Sequence, residues 1–344
     1  MKTSFYQYTY KEMEEIFLKN DLKPQGAHLL FSWHYRQKRK DPCIVDLSKT
    51  SQKFIEDNFY FDLPEIATVH ESLDRTVKFL FKLKDGKTVE TVLIPFQGKY
   101  SVCLSTQVGC QMNCSFCFTG TQGLTRNLST DEIVGQFLEV SRWLKNARPD
   151  DCKILNVVFM GQGEPMHNFD AVKTACEIFL CKIGISLAAL RITVSTAGYL
   201  PGLKRWNEMP GVNLALSLHS PFEEKRNKLI PLNKRYPLPE ILSAIDIIPL
   251  KRKQFITYEY LIIKDLNDSI EDAHTTGKLL QGKTAIVNLI PFNPFPGSQY
   301  QRPEEEKVER FKEIMKSYGL PTMVRVTKGD DILAACGQLN TFSK

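Results

Sequence analysis

Residues 100–117 read YSVCLSTQVGCQMNCSFC, a β-rich run that passes straight into a loop studded with cysteines. Tyr, Val, Leu and Thr in close succession suit a pleated, half-buried segment. Cys110, Cys114 and Cys117 then fall in the loop that leaves this first core strand, spaced C-x3-C-x2-C. Similar β-rich runs recur downstream: ILNVVFMG (154–161), LRITVSTAG (190–198), VNLALSLHS (212–220), FITYEYLII (255–263), AIVNLIPF (285–292) and TMVRVT (322–327). Amphipathic helical patterns separate them. One opens at Ser129 with the capping-box partner Glu132 and carries Ile133, Phe137, Val140 and Leu144 inward. Strands alternating with helices predict an α/β fold, a parallel sheet curled into a partial (β/α) TIM-like barrel. In such barrels chemistry sits at the carboxyl ends of the strands, where this chain places its polar and glycine-rich signals.

Residues 1–95 are expected to form a small α+β accessory domain that binds RNA, with linking strands, and residues 96–344 the core with a C-terminal cysteine segment that carries chemistry. Helical patterns run from Tyr10 to Leu22 and from Gln52 to Phe59, and VKFLFKL (77–83) and TVETVLIP (88–95) flank Asp85-Gly86, a two-residue hairpin signal. Trp33-His34-Tyr35-Arg36 precedes Lys38, Arg39 and Lys40. That pattern suits either a solvated helix end with a hydrophobic anchor or a surface holding RNA backbone and stacked bases.

With 344 residues, 42% hydrophobic and 24% charged, the chain has ample material for a large core, which excludes disordered and fibrous classes. Its formal charge of +6 permits an RNA partner without requiring one. No apolar run is long enough to span a bilayer, and MKTSFYQYTYKEMEEIF lacks the apolar stretch of a secretory signal. A cytoplasmic protein with no membrane partner is expected. Nine cysteines are too sparse for a disulfide scaffold, so the clustered ones read as metal-binding or redox-active, and Cys43, Cys152, Cys176 and Cys181 read as core.

Three thiolates from one short loop can hold three irons of a [4Fe-4S] cube and leave the fourth iron open to a non-protein ligand. A structural zinc site would want a fourth Cys or His, which Phe118 to Gln122 do not offer; a ligand from elsewhere in the chain keeps that alternative open. Met160-Gly161-Gln162-Gly163-Glu164-Pro165 follows a strand. Its glycines let backbone approach a ligand and Glu164 can accept from an ammonium group, although a plain turn with a surface carboxylate has the same look. Ser195, Ser217-Leu218-His219 and Asn293 occupy comparable strand-end positions. Cys103 lies on the strand before the cluster loop, and Cys336 sits in GDDILAACGQL (329–339) between small residues. Taken singly, each reads as a packing residue.

The segments STQVGCQMNCSFC (105–117), GQGEP (161–165), TVSTAG (193–198), LSLHSP (216–221), NLIPFNPFPG (288–297) and GDDILAACGQL, in this order, resemble the RlmN-type dual-methylating radical S-adenosylmethionine enzymes. The likeness covers the whole core and reaches into VETVLIP (89–95); Phe118-Thr-Gly departs from the small-residue version common after the last cluster cysteine. It implies a barrel of the radical-SAM type and a methyl added to C2 of an adenosine in 23S rRNA and, in some members, tRNA. It further implies a [4Fe-4S] cluster on Cys110, Cys114 and Cys117, and S-adenosylmethionine, two per turnover, held through Gly163, Glu164, Ser195, Ser217, Leu218, His219 and Asn293. By the same likeness Cys336 becomes an S-methylcysteine and forms a covalent RNA adduct, Cys103 resolves that adduct as a disulfide, and Glu90 accepts a proton. An external electron donor and a disulfide reductant follow as partners, and a monomer is expected. The alternatives left by the residues themselves are a C8-specific relative of the Cfr kind, a radical enzyme acting on a peptide or small molecule, and a zinc-stabilised RNA-binding module.

Overall fold

The structure is a computed structural model that describes residues 2–39 and 46–341. Ten strands form one sheet: β1 Glu65–Glu71, β2 Val77–Lys82, β3 Thr88–Phe96, β4 Lys99–Cys103, β5 Ile154–Phe159, β6 Ile192–Thr196, β7 Asn213–Ser217, β8 Ile256–Ile262, β9 Ala285–Pro291 and β10 Thr322–Val324. They lie side by side in chain order. β1 to β4 form an antiparallel meander, and every pairing from β4 to β10 is parallel. Helices Thr130–Ala147, Phe169–Leu180, Leu200–Leu203, Glu223–Leu229, Leu238–Asp246, Ile270–Leu280 and Glu305–Ser317 fill the crossovers, as parallel neighbours require, the β7–β8 crossover holding two of them. β1 and β10 remain edges, so the curl is a partial barrel.

Local chemistry explains the elements. The helix at Thr130 starts where the Ser129 N–H donates to the Glu132 carboxylate at 3.0 Å, and Ile133, Phe137, Val140 and Leu144 on its inner face are buried. Between β2 and β3 the turn is one residue longer than a two-residue signal allows. The Leu83 N–H donates to the Lys87 carbonyl at 2.8 Å, and Gly86 takes the left-handed conformation, φ +78°, that favours glycine. The linking strands thereby continue the barrel sheet rather than standing apart from it.

The N-terminal helices Tyr10–Lys19, Gln25–Phe31 and Lys49–Asn58 pack around an aromatic cluster of Phe5, Tyr6, Phe31, Tyr35 and Phe61. Here the structure matches the hydrophobic-anchor reading of residues 33–35. Trp33, His34 and Tyr35 lie in a π-helical turn, Ser32–Arg36, and all three are buried. His34 stacks on Phe61 at 4.5 Å and its Nδ1 pairs with the Tyr6 hydroxyl at 3.0 Å. The wide turn directs successive rings inward, so they are core and not a platform for bases. Arg36 donates to the Lys182 carbonyl at 2.6 Å, and Arg142 grips the carbonyls of Lys38 and Arg39, which fastens this segment to the barrel helix. Cys176 is buried and Cys152 and Cys181 pack against the core; Lys40 and Cys43 lie outside the described residues. No described helix is long and apolar enough to cross a membrane.

Candidate active site

The run 100–108 is not one strand. After Cys103 the chain kinks: the Gln136 side chain, fully buried, accepts from the Ser105 N–H at 2.9 Å and donates to the Ser105 carbonyl at 3.0 Å, while the Thr106 N–H donates to the Gln162 carbonyl at 2.8 Å. A second, separate strand Gln107–Cys110 then pairs antiparallel with Gly123–Asn127. Gly109 permits that hairpin, since a Cβ there would meet the Gly123 carbonyl oxygen at 1.9 Å.

The hairpin tip carries Cys110, Cys114 and Cys117, and all three line one cavity with Gly163, Glu164, Ser195, Ser217 and His219. The Ser115 N–H donates to the Leu229 carbonyl at 3.0 Å and the Phe118 N–H to the Gly337 carbonyl at 2.7 Å, which moors the loop to both rims. Phe118, the departure from the expected loop, stacks on Phe295 at 4.9 Å. Burial pushes the Cys110 thiol up to about 12 and raises those of Cys114 and Cys117, with the neighbouring sulfurs adding to the rise at Cys114. Three crowded, buried thiols need a cationic group to be held as thiolates. Three thiols from one loop, opening on one cavity, fit the corner ligands of a [4Fe-4S] cube.

Glu164, 3% exposed, accepts from the Met166 N–H at 3.0 Å and the Ala197 N–H at 2.8 Å, and its own N–H donates to Gln107 Oε1 at 2.8 Å. Burial pushes its carboxyl up to about 7, against those backbone donors that lower it. It is therefore poised to become a full carboxylate once an ammonium ion arrives. His219 adopts φ +56°, and its Nδ1 accepts from the Leu261 N–H at 3.0 Å. Burial lowers its pKa to about 3, so the ring is neutral and its proton sits on Nε2. Leu218 packs its side chain into the core and spends its N–H on the Glu259 carbonyl at 2.9 Å, which leaves only backbone for a ligand. Arg226, fully buried, donates to the carbonyls of Ala197 at 3.0 Å and Ser217 at 2.9 Å and ties the two strand ends together.

A larger cavity of about 670 Å³ adjoins the first and is lined by Cys103, Asn293 and Cys336. Cys103 pairs across the sheet with Val92, and Ala334 and Leu339 from the C-terminal segment pack over both. Its thiol is pushed up to about 12 by burial first and by the Cys336 sulfur second. Asn293 sits with Cys336 and does not line the first cavity: its amide donates to the Cys336 carbonyl at 3.4 Å and its Oδ1 accepts from Thr327 at 2.8 Å. Glu90, also buried, holds Lys78 at 3.1 Å and accepts the Asn340 N–H at 2.7 Å; burial raises its pKa. Sequence reasoning overlooked Glu259 and Arg325, which line both cavities. The available signal was a lone charge inside each of the apolar runs FITYEYLII and TMVRVT.

The Radical SAM superfamily model matches residues 104–276. A dual-specificity RNA methyltransferase RlmN from Zymomonas mobilis is 42% identical over 91% of this chain and 82% of its own length. The protein of the same name from Paracoccus denitrificans is 41% identical over 98% of this chain and 89% of its own. The crystal structure of a radical SAM methyltransferase from Sphaerobacter thermophilus superposes with a TM-score of 0.88 at 37% identity, covering 98% of this chain and 99% of that one.

Proposed function

The chain belongs to the RlmN family of radical SAM methyltransferases, and from that premise we propose that it methylates C2 of an adenosine in 23S rRNA and of an adenosine in tRNA. It is an S-adenosylmethionine-dependent radical methyltransferase. The observation that carries the finer reading is that Cys103 and Cys336 line one cavity, and that Cys336 also lines the cavity of the cysteine triplet. A peptide-modifying radical enzyme would have no use for that second pair of sulfurs.

In this reading Cys110, Cys114 and Cys117 hold the [4Fe-4S] cluster, which when bound supplies the electron that cleaves S-adenosylmethionine to a 5′-deoxyadenosyl radical. Glu164 takes the cofactor's ammonium, and Ser195, Ser217 and the Nε2–H of His219 offer further polar contacts in the same cavity. Cys336 receives the methyl of one S-adenosylmethionine, loses a hydrogen atom from it to the radical made from a second, and bonds its methylene to adenine C2. Glu90 takes the proton that C2 must lose, with Lys78 beside it, and the odd electron left on the base by the methylene radical would return to the oxidised cluster held by the three thiolates. The Cys103 thiol, held protonated at rest by burial, deprotonates and attacks the Cys336 sulfur; the S–C bond breaks with its electron pair left on the methylene, a proton completes the methyl group, and the methylated base leaves with a disulfide behind it. An external electron donor and a thiol reductant complete the cycle. The base must be flipped out of its stack to reach so enclosed a site.

Cys103→Ala tests the scheme. It is expected to stop after the carbon–carbon bond has formed and to accumulate RNA bonded to Cys336, seen as a nuclease-sensitive mass on the C-terminal peptide. Normal turnover by this variant, or no adduct despite an iron-loaded protein with methylated Cys336, would refute the mechanism.

A further inference from the structure

The two cavities share a wall that includes Cys117, Met160, Ile290 and Cys336, and among the described residues the only charged side chains lining both are Glu259 and Arg325. Glu259 rises from the middle of β8 and is 4% exposed. Its Oε2 accepts from Asn288 Nδ2 at 2.9 Å, and Oε1 has no donor among the described residues. Arg325 follows β10, where its N–H donates to the Leu289 carbonyl at 2.8 Å. Its guanidinium makes a single long contact among the described residues, 3.7 Å to Met160 Sδ. Neither charge is ion-paired there, although they influence each other across the cavity. Arg325 lines one cavity with both Cys103 and Cys336, and the Cys336 sulfur, then Glu259 and Cys103, hold the arginine above its usual range against the lowering effect of burial.

A buried carboxylate and a half-buried guanidinium with acceptor and donors unused are costly, and folded proteins keep such groups where a ligand completes them. A free acceptor and free donors facing one space complement an edge that offers a donor and an acceptor side by side. Adenine's Watson–Crick edge is of that kind, with the N6 amine next to the N1 lone pair, and a base flipped into an enzyme is commonly read along this edge. The order is also set. C2 adjoins N1 in the ring, so N1 on Arg325 brings C2 towards Cys336, and the amine then falls to Glu259. Guanine presents the reverse polarity at these positions and carries an amino group on the carbon to be attacked. We infer that Glu259 and Arg325 read the Watson–Crick edge of the substrate adenine and are specificity-determining residues. This rests on the adenosine-methylating activity proposed above.

The test uses iron-loaded wild type and Glu259→Met, with an rRNA fragment carrying at the target position either adenosine or purine riboside, which lacks the amino group. Iron content and methylation of Cys336 without RNA verify that each protein is intact. Wild type is expected to lose about tenfold or more in kcat/KM on the purine fragment, the usual range for one base-edge contact. Glu259→Met is expected to use the two RNAs equally, because its partner for the amine is gone. Equal use of both RNAs by wild type overturns the inference, as does a full wild-type penalty in Glu259→Met. If the variant does not load iron, the wild-type comparison decides by itself. Wild type that methylates Cys336 yet leaves adenosine RNA unmodified fails at the underlying activity, a result distinct from equal use of both RNAs.

Discussion

Glu164 accepts the backbone N–H of Ala197 at 2.8 Å, so one carboxylate from the loop after β5 holds the loop after β6 in place. In the function proposed above the same group also meets the cofactor's ammonium, and the two tasks have opposite electrical demands. Burial favours the neutral acid, while the backbone donors and an arriving cation favour the anion.

Cofactor affinity is therefore expected to depend on pH. With the Glu164 carboxyl at about 7 in the free protein, it is largely protonated below that value and offers no full charge to an ammonium ion. Binding of S-adenosylmethionine should strengthen as pH rises through about 7, and Glu164→Gln should flatten that dependence. Glu164→Ala should weaken binding by about 1.5–3 kcal/mol with iron content unchanged. Equilibrium dialysis across a pH series measures both, and an unchanged, pH-independent affinity would return Glu164 to a purely structural role.

Replacing Cys110, Cys114 or Cys117 singly by Ala should abolish iron loading and cofactor cleavage together. Each thiol lines the same cavity, where among the described residues the only other cysteine is Cys336, which the Asn293 and Gln338 contacts hold in its own segment. Iron analysis and detection of 5′-deoxyadenosine are the readouts. Full values for either in any one variant contradict the cluster assignment.

Gln136 satisfies the Ser105 N–H, the Ser105 carbonyl and the Thr91 hydroxyl, all buried. Gln136→Leu leaves these groups without partners and should destabilise the iron-free protein by on the order of 3 kcal/mol. Denaturant unfolding measures the loss. A change below about 1 kcal/mol would mean that the kink after β4 does not depend on this side chain.

Tyr35 separates packing from RNA contact. Its ring is fully buried, and its hydroxyl is buried without a partner among the described residues. Tyr35→Ala should cost about 3–5 kcal/mol, whereas Tyr35→Phe should be neutral or add about 1 kcal/mol, because it removes an unsatisfied hydroxyl. RNA affinity of Tyr35→Phe should match wild type. A marked loss of RNA binding with stability intact would restore this segment as a contact surface.

Much of the barrel was legible because its signals are local. The apolar runs of β5 to β9 name themselves, the Ser129–Glu132 box starts its helix, and Cys110, Cys114 and Cys117 lie within one loop. Where local signals compete, the reading slipped. Residues 100–108 have strand character throughout, and nothing within them announces that a glutamine thirty-one residues on will pull Ser105 out of line. Trp33, His34 and Tyr35 have a composition shared by binding platforms and cores, and only the π turn and the rings of Phe5, Tyr6 and Phe61 decide between the two.

By itself the sequence determined the barrel class, the cluster loop and the family, since each rests on periodicity, spacing or the order of short segments along the chain. Only the tertiary structure decided that Cys336 faces the cavity of the triplet and shares a second one with Cys103, and that Glu259 and Arg325 stand at the junction. The reason is physical. Those residues are brought together by the curl of the sheet and by a C-terminal segment that folds back over β3 and β4, and contacts between distant parts of a chain leave no periodic trace in the parts themselves.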